Sequence, residues 1–211
     1  MKNKLVIVTG ASSGIGKACA LEFAKKGANL VLAARSVDKL EIISKEISLL
    51  GVEVLCVPTD VSKEEDCKIL MDKSLAKFGK IDVLVNNAGI SMRAAFAELD
   101  LEVLKKVMDV NFWGTVYCTR YAIKSILENK GSVVGVSSIA GYKGLPGRTG
   151  YSSSKFAMHG FLEALRIENL KNDLHVLLAC PGFTASNIRN SALAADGSSQ
   201  GETPRDEQKM M

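Results

Sequence analysis

The chain has 211 residues, of which 47% are hydrophobic and 24% are charged, and 27 Lys+Arg against 23 Asp+Glu give a formal net charge of +4. This length predicts one domain with a core of ordinary size, and the composition excludes collagen, coiled coil and intrinsic disorder. The positive charge is dispersed, so nothing indicates binding to nucleic acid. No apolar stretch approaches the roughly 18 residues of a membrane-spanning helix, so no membrane span is expected.

The cysteine and histidine content predicts the compartment and argues against a metal site. The five cysteines are odd in number, far apart and without a C-x-x-C pair. This pattern argues against a disulfide framework or a zinc site and predicts a reducing, cytoplasmic location. The two histidines, His159 and His175, provide no cluster of metal ligands, and His159 is predicted to be a packing residue.

Short runs rich in Val, Ile and Leu recur along the chain and do not alternate with polar residues. They are Lys4–Thr9, Asn29–Ala34, Glu53–Pro58, Ile81–Asn86, Ser132–Ser138 and Leu174–Cys180. Continuous apolar runs of this kind are typical of parallel strands buried on both faces. Segments with helical spacing lie between them, namely Gly14–Lys26, Asp38–Leu50, Ser62–Phe78, Leu99–Asn129 and Tyr151–Asn172.

This alternation predicts the fold class. Strands that alternate with helices through right-handed crossovers give an α/β fold with a Rossmann-type, doubly wound parallel sheet in three αβα layers. Six strands are visible in the sequence, and ligands are expected at their carboxyl ends. At the third helix, Ser62 and Glu65 have the spacing of a capping box.

A glycine-rich loop, Thr9–Gly16, follows the first predicted strand and opens the first predicted helix. Its glycines allow a tight turn and a close approach to a pyrophosphate, to which the helix N-terminus adds unpaired N–H groups. A plain strand-to-helix turn is the alternative, but the strand before and the helix after favour a dinucleotide. The predicted contacts are Gly10, Ser12, Ser13, Gly14, Ile15 and Gly16.

The end of the second strand bears on the choice of cofactor. An NAD site of this type places an Asp or Glu there, about 20 residues past the glycines, whereas this chain has Ala34 followed by Arg35. A guanidinium can pair with a 2′-phosphate, which favours NADP(H) over NAD(H). In the alternative interpretation Arg35 is a surface residue and Asp38 binds the ribose.

Two further strand ends carry candidate cofactor contacts. After the third strand, Asp60 can accept from an adenine amino group while the N–H of Val61 donates to the ring; Asp60 can equally begin a helix, and the two roles are compatible. After the fourth strand, Asn86, Ala88 and Gly89 suit a backbone that passes close under a ribose. A bare turn is the alternative here, since Asn and Gly are common in turns.

The pattern Tyr151-x-x-x-Lys155 places a phenol and an ammonium on one helical face. An isolated phenol titrates near 10, and a nearby positive charge lowers that pKa toward the range useful in acid–base catalysis. Ser138 ends the fifth predicted strand, where its hydroxyl can approach Tyr151 and donate to a carbonyl oxygen. A solvated helix face is the alternative for the Tyr–Lys pair taken alone.

These motifs occur in family order over almost the whole chain, and the sequence resembles the short-chain dehydrogenase/reductase family. The residues that carry the resemblance are Thr9–Gly16, Asn86–Gly89, Asn111, Ser138, Tyr151, Lys155 and Pro181-Gly182. The resemblance implies hydride transfer between NADP(H) and a carbonyl or secondary alcohol of a small-molecule substrate.

The resemblance also implies roles for individual residues. Tyr151 would be the general acid/base, Ser138 would polarise the substrate oxygen, and Lys155 would bind the nicotinamide ribose and lower the pKa of Tyr151. Asn111 would interrupt its helix and hold a water that relays protons to the lysine. Pro181 and Gly182 would cover the nicotinamide, and Thr184 or Ser186 would contact its carboxamide.

Family members continue through a substrate-covering lobe to a seventh strand and a last helix. We therefore expect residues 1–211 to form a single dinucleotide-binding catalytic domain, with 182–211 as a partial substrate-binding lobe and without that last strand and helix. The implied assembly is a homodimer or homotetramer packed through Leu99–Asn129 and Tyr151–Asn172. The segment Pro181–Arg189 also loosely resembles steroid- and lipid-acting or membrane-associated members, without identifying a substrate.

Two other functions compete with an active reductase. One is a non-catalytic dinucleotide-binding redox sensor or a truncated inactive reductase, although the presence of Ser138, Tyr151 and Lys155 argues against a sensor. The other is a sugar-nucleotide epimerase of the family's extended branch, which normally has a different glycine spacing and a larger carboxyl-terminal domain.

Overall fold

The computed structural model describes residues 1–182, 184, 188–189 and 191–201. In this part of the chain, six parallel strands form one sheet in the order β3-β2-β1-β4-β5-β6. The strands are β1 Leu5–Thr9, β2 Asn29–Ala34, β3 Val54–Pro58, β4 Val83–Asn86, β5 Ser132–Val136 and β6 His175–Ala179. The α-helices are α1 Gly14–Lys25, α2 Val37–Ser48, α3 Glu64–Phe78, α4 Leu101–Met108, α5 Gly114–Glu128 and α6 Thr149–Glu168.

The sheet is covered on both faces, which explains why its strands are apolar throughout. Val6 and Val8 of β1 pack with α1 and α2, whereas Leu5 and Ile7 of the same strand pack with α3, α5 and α6. Successive side chains of a strand point to opposite faces, so β1 to β5 contribute to both cores, whereas β6 contributes to one of them and leaves Leu177 49% exposed. The predicted three-layer αβα architecture is confirmed.

The strand order places a crevice at the carboxyl ends of β1 and β4. The chain runs outward from β1 to β3 on one side and from β4 to β6 on the other. The loops that leave β1 and β4 therefore turn to opposite sides and open a gap between them, which is where ligands bind in open α/β sheets. The glycine-rich loop and the segment Asn87–Gly89 meet at this point, where Asn87 Nδ2 donates to the Thr9 carbonyl.

One helix prediction was wrong in detail, and the helix interruption expected at Asn111 is found. The predicted capping box does not form, because the Ser62 hydroxyl donates to Asp60 Oδ1 at 2.7 Å and α3 begins after Lys63 without a side-chain cap. The predicted helix Leu99–Asn129 is divided into α4 and α5 by a π-helical turn at Asp109–Trp113. A π turn inserts an extra residue into the helix, and this places Asn111 at the junction.

The segment assigned to a partial substrate-binding lobe is described in part. Within it, Leu193 forms β-bridges with Met92 and Ser199, so residues 191–201 lie against the loop that follows β4. The contact predicted for Ser186 falls on a residue outside the described ones, as does the chain after residue 201. No helix among the described residues is long and apolar enough to cross a membrane.

Candidate active site

The cleft at the carboxyl ends of the strands consists of two adjoining cavities that share Ile15, Asn87, Gly89 and Ile188 in their walls. One, of about 350 Å³, is lined by the glycine-rich loop and is called the nucleotide cavity below. The other, of about 390 Å³, is lined by the start of α6 and is called the catalytic cavity. Both have the size usual for small-molecule sites.

Most of the predicted cofactor contacts line these cavities. The nucleotide cavity is lined by Gly10, Ser12, Ser13, Gly14, Ile15, Arg35, Asp60, Val61, Ala88 and Gly89. The catalytic cavity is lined by Tyr151, Lys155, Pro181, Gly182 and Thr184, together with Ser138. The structure thus brings together residues from seven separate segments of the chain. Asp38, the alternative ribose ligand, lies in the first turn of α2 and lines neither cavity.

Asn86 does not line the cleft. Its buried side-chain amide donates to Thr119 Oγ1 on α5 at 3.1 Å, so its position does not support the predicted cofactor contact. The next residue, Asn87, lines both cavities and donates from Nδ2 to the Thr9 carbonyl at 2.8 Å. Asn87 therefore joins the loop after β4 to the loop after β1.

Gly16 has a packing role in the cleft. It is buried and absent from the walls of both cavities. A Cβ at this position would overlap Asn87 Nδ2 and the Gly10 carbonyl oxygen, and would lie 2.9 Å from the Gly10 carbonyl carbon. Gly10 has φ +65°, in the left-handed region that favours glycine. These two glycines let α1 start directly beneath the loop.

Tyr151 and Ser138 face each other in the catalytic cavity. Ser138 begins a 3₁₀ turn at Ile139–Gly141, where its hydroxyl accepts from the Ala140 N–H at 3.2 Å. Burial raises the pKa of the Tyr151 phenol, while a hydrogen bond with Ser138 and the charge of Arg148 oppose that rise. The expected lowering of this pKa is therefore not found in the structure, because the effect of burial is larger.

Lys155 lies one helical turn beyond Tyr151 and is only 3% exposed. Its Nζ donates to the Val136 carbonyl at 2.9 Å and lies 5.9 Å from the centre of the Tyr151 ring. Burial of the ammonium lowers its pKa to about 8.

The low pKa of Lys155 predicts a pH-dependent stability. Unfolding restores the pKa from about 8 to 10.5, so between these values the unfolded chain binds more protons and stability rises with pH. We expect the free energy of unfolding of the cofactor-free protein, relative to that of Lys155→Met, to increase by about 2 kcal/mol from pH 7.5 to 9.5. Urea unfolding of both proteins at several pH values measures this difference in the free energy of unfolding.

Lys143→Met, at an exposed position, is the control variant. A difference between the wild-type protein and Lys155→Met that does not change with pH would contradict the prediction.

Asn111 is fully buried and positions other residues of the site without lining either cavity. Its Oδ1 accepts from the Ile90 N–H at 2.8 Å, and its Nδ2 donates to the Ile90 carbonyl and to Ser154 Oγ, both at 2.9 Å. Its side chain thus ties the π turn to the loop after β4 and to α6.

Several residues of the cleft were not predicted from the sequence. One unpredicted group is cationic: Arg93, Arg148 and Arg189 line the catalytic cavity, and Lys106 lines the nucleotide cavity. They lie in loops or on helix faces without a motif, so no local signal identifies them. Ser137 also lines the catalytic cavity and hydrogen-bonds His159 Nε2 at 2.6 Å, which accounts for that buried histidine.

A parallel sheet in this order, with a glycine-rich loop at the point where the order reverses, defines a Rossmann-type nucleotide-binding protein. The family model described as short chain dehydrogenase matches residues 4–197. The chain belongs to the short-chain dehydrogenase family.

Named relatives are consistent with this membership. The chain is 42% identical over 187 residues to 11-beta-hydroxysteroid dehydrogenase-like 2 of Arabidopsis thaliana, covering 88% of this chain and 60% of that protein. It is also 42% identical over 187 residues to 11-beta-hydroxysteroid dehydrogenase A of Sesamum indicum, covering 88% of this chain and 53% of that protein. The chain thus spans between about half and two thirds of the length of these relatives.

A solved structure with the same fold is the alcohol dehydrogenase of the archaeon Thermococcus sibiricus, complexed with 5-hydroxy-NADP. It superimposes with a TM-score of 0.86 at 33% sequence identity, covering 95% of this chain and 82% of that one. The two proteins therefore share the overall fold over nearly all of this chain.

Proposed function

We propose that the protein is an oxidoreductase that interconverts a carbonyl group and a secondary alcohol with NADP(H) as cofactor. The observation that carries the proposal is the meeting of Ser138, Tyr151 and Lys155 in one cavity that adjoins the glycine-rich loop. Family membership and relatives named dehydrogenases support the same reaction class.

The walls of the nucleotide cavity fit a dinucleotide. Gly10 and Gly14 have positive φ, which turns the loop away from the strand and leaves room for phosphates above the start of α1. Ser12, Ser13 and Ile15 would contact the pyrophosphate, and Asp60 and Val61 would bind the adenine. Ala88 and Gly89, with Pro181, Gly182 and Thr184, would border the nicotinamide half. When bound, the nicotinamide supplies the hydride transfer to or from the substrate carbon.

The protein's own residues supply the proton and hold the reacting oxygen. Tyr151 would donate its phenolic proton to the carbonyl oxygen in reduction and remove it in oxidation. The Ser138 hydroxyl would hydrogen-bond the same oxygen and fix its position. The Lys155 ammonium would bind the ribose and stabilise the Tyr151 phenolate, and Asn111 would hold the water that resupplies the proton.

Arg35 is the residue on which the cofactor preference depends. It lies at the end of β2, exposed and in the wall of the nucleotide cavity, where it can pair with a 2′-phosphate. We expect Arg35→Ser to raise the dissociation constant of NADPH about tenfold and that of NADH less than twofold, since a charge-assisted hydrogen bond contributes about 1.5 kcal/mol or more. Fluorescence titration of both cofactors measures this difference. Lys39→Ser, at an exposed position on α2, is the control, and equal losses for both cofactors would contradict the role of Arg35.

The proposed activity is tested by binding and turnover together. The purified protein is titrated with NADPH and NADH, and NADPH consumption is then followed with ketones, β-ketoacyl thioesters and steroids. Tighter binding of NADPH with reduction of at least one carbonyl is the expected result. Tight binding without turnover on any compound would instead favour the non-catalytic redox sensor. Absence of binding would overturn both.

We further propose a homodimer or homotetramer in the cytoplasm, with the chain acting as a single catalytic domain. Exposed Trp113, in the π turn directly before α5, and exposed Phe156, on α6, support an interface along these helices, because large exposed aromatic side chains are enriched at interfaces between subunits. The five cysteines are all free, as a reducing compartment favours.

A further inference from the structure

One face of α6 carries three titratable side chains in successive turns. Tyr151, Lys155 and His159 follow one another at intervals of four residues, so they lie on the same side of the helix. The first two belong to the proposed catalytic group. His159 is only 7% exposed and lines neither cavity, so the proposed reaction gives this buried side chain no role.

The His159 ring contacts the ends of the two strands that lead into the catalytic cavity. Its Nε2 lies 2.6 Å from Ser137 Oγ, directly after β5, and 3.7 Å from Cys180 Sγ, directly after β6. Ser137 precedes Ser138 in the sequence, and Cys180 precedes Pro181. His159 therefore contacts the neighbours of two residues that line the catalytic cavity.

Ser137 is held by its main chain and by its side chain. Its N–H donates to the Ala179 carbonyl at 2.7 Å, which continues the pairing of β5 with β6. The turn that follows packs directly on the imidazole, because a Cβ at Gly141 would lie 2.5 Å from His159 Nε2 and 2.7 Å from Ser137 Oγ. Ser137 thus joins the end of the strand to α6 immediately before Ser138.

The surroundings of Ser137 indicate which atom of the pair donates. Ser137 is 4% exposed, and among the described residues its hydroxyl has no hydrogen-bond partner other than His159. A hydroxyl that donates to Nε2 uses its hydrogen, whereas an Nε2–H that donates to the hydroxyl would leave that hydrogen without a partner among these residues. This favours Nε2 of the neutral ring as the acceptor, with the imidazole hydrogen on Nδ1.

The groups around the ring keep it neutral at neutral pH. Burial lowers the pKa of His159, Glu163 one turn further along α6 opposes this effect, and the Lys155 ammonium one turn earlier adds to it. From the elements packed against α6, the side chains that face the ring are Ser137, Cys180 and Tyr142. A protonated ring donates from both nitrogens and can no longer accept from a hydroxyl.

We infer that His159 is a positioning residue: by accepting a hydrogen bond from Ser137 at Nε2, it holds the adjacent Ser138 hydroxyl opposite Tyr151 for the reaction. This inference rests on the proposed function for the roles of Ser138 and Tyr151. It has a consequence that simple packing would not have. Protonation of His159 at acid pH breaks the bond with Ser137 and lowers kcat.

Two variants of His159 test this role through turnover with NADPH. His159→Leu removes the acceptor, whereas His159→Gln keeps one, because its side-chain amide reaches about as far as Nε2. We expect His159→Leu to lower kcat about five- to tenfold, which is the effect of one ordinary hydrogen bond, and His159→Gln to stay within about twofold. Below about pH 6.5, kcat of the wild-type protein should fall relative to that of His159→Gln, whose side chain does not titrate. The matched control is His175→Leu, at the exposed histidine on β6 outside both cavities.

A second measurement needs no turnover. Burial raises the pKa of Tyr151 and the hydrogen bond with Ser138 opposes that rise, so a displaced Ser138 should raise the pKa of Tyr151 further. The titration is followed by ¹³C NMR of ring-labelled tyrosine, with Tyr151→Phe identifying the signal. We expect a higher pKa of Tyr151 in His159→Leu and in Ser137→Ala than in the wild-type protein and His159→Gln. Ser137→Ala breaks the same bond with little change in volume and replaces His159→Leu if that variant does not fold.

The outcomes separate this inference from the proposed function. If the wild-type protein reduces a carbonyl while His159→Leu and Ser137→Ala keep its kcat, the proposed function holds and the inference falls. If no carbonyl is reduced but the pKa of Tyr151 rises in both variants, the positioning of Ser138 is supported and the proposed function is not. An unchanged pKa of Tyr151 would overturn the inference in that case. Equal loss of kcat in His159→Gln and His159→Leu, with the same fall in kcat at acid pH in His159→Gln as in the wild-type protein, would reduce His159 to a packing residue.

Discussion

Tyr151→Phe is expected to reduce kcat by about three orders of magnitude while the dissociation constant of NADPH changes less than twofold. The substitution removes one oxygen atom, and general acid–base catalysis by such a group contributes roughly 10²- to 10⁴-fold. The ring remains in the cavity wall, so cofactor binding keeps its apolar surface. Steady-state kinetics with a reducible carbonyl, together with NADPH fluorescence titration, measures both quantities.

Tyr121→Phe is the matched control for this substitution. Tyr121 is on α5, and its hydroxyl donates to Glu64 Oε1 at 2.7 Å on the protein surface. Loss of that exposed hydrogen bond is expected to leave kcat within twofold. A Tyr151→Phe protein that keeps more than a tenth of the activity would place the proton donor elsewhere in the cavity.

Gly16→Ala is expected to destabilise the protein and to weaken cofactor binding by displacing the glycine-rich loop. The added Cβ would overlap the Gly10 carbonyl oxygen, which is backbone and cannot move without displacing the glycine-rich loop. We expect a destabilisation of about 2 kcal/mol or more and a loss of NADPH affinity of at least tenfold. Urea unfolding and NADPH titration measure the two effects.

The control for added volume is Gly160→Ala. Gly160 is exposed on α6, and a Cβ there meets no atom within 4 Å. Since alanine favours a helix over glycine by about 0.5–1 kcal/mol, this variant is expected to be more stable than the parent protein and to bind NADPH unchanged. Wild-type NADPH affinity in Gly16→Ala would show that the loop is free to shift, contrary to the packing described above.

The sheet could be predicted from the sequence because the central strands are buried on both faces and all six strands are apolar runs. β2 and β5 begin at the predicted residue, and the other four strands begin one or two residues later. Helix ends were harder to predict. A serine at the right spacing from a glutamate predicts a cap, but Asp60 competes for the Ser62 hydroxyl, and only the folded loop brings the two side chains together.

The residues of the candidate site that belong to sequence motifs with a fixed spacing could be predicted. Residues whose role depends on the direction of a single side chain could not be predicted. Asn86 and Asn87 are adjacent amides after the same strand, and the pleat turns Asn86 toward α5 and Asn87 toward the cleft. Arg93 and Arg148 are 55 positions apart in the sequence, and both line the catalytic cavity. No periodicity in the sequence predicts that these two loops line the same cavity.

The π turn at Asp109–Trp113 has a consequence for how the site can change over evolution. Through Asn111 it joins the backbone of Ile90, beside the nucleotide cavity, to Ser154, the neighbour of Lys155. Aspartate at position 111 would lose both donated bonds, and glutamine would be one methylene too long. Position 111 is therefore constrained by geometry as well as by chemistry.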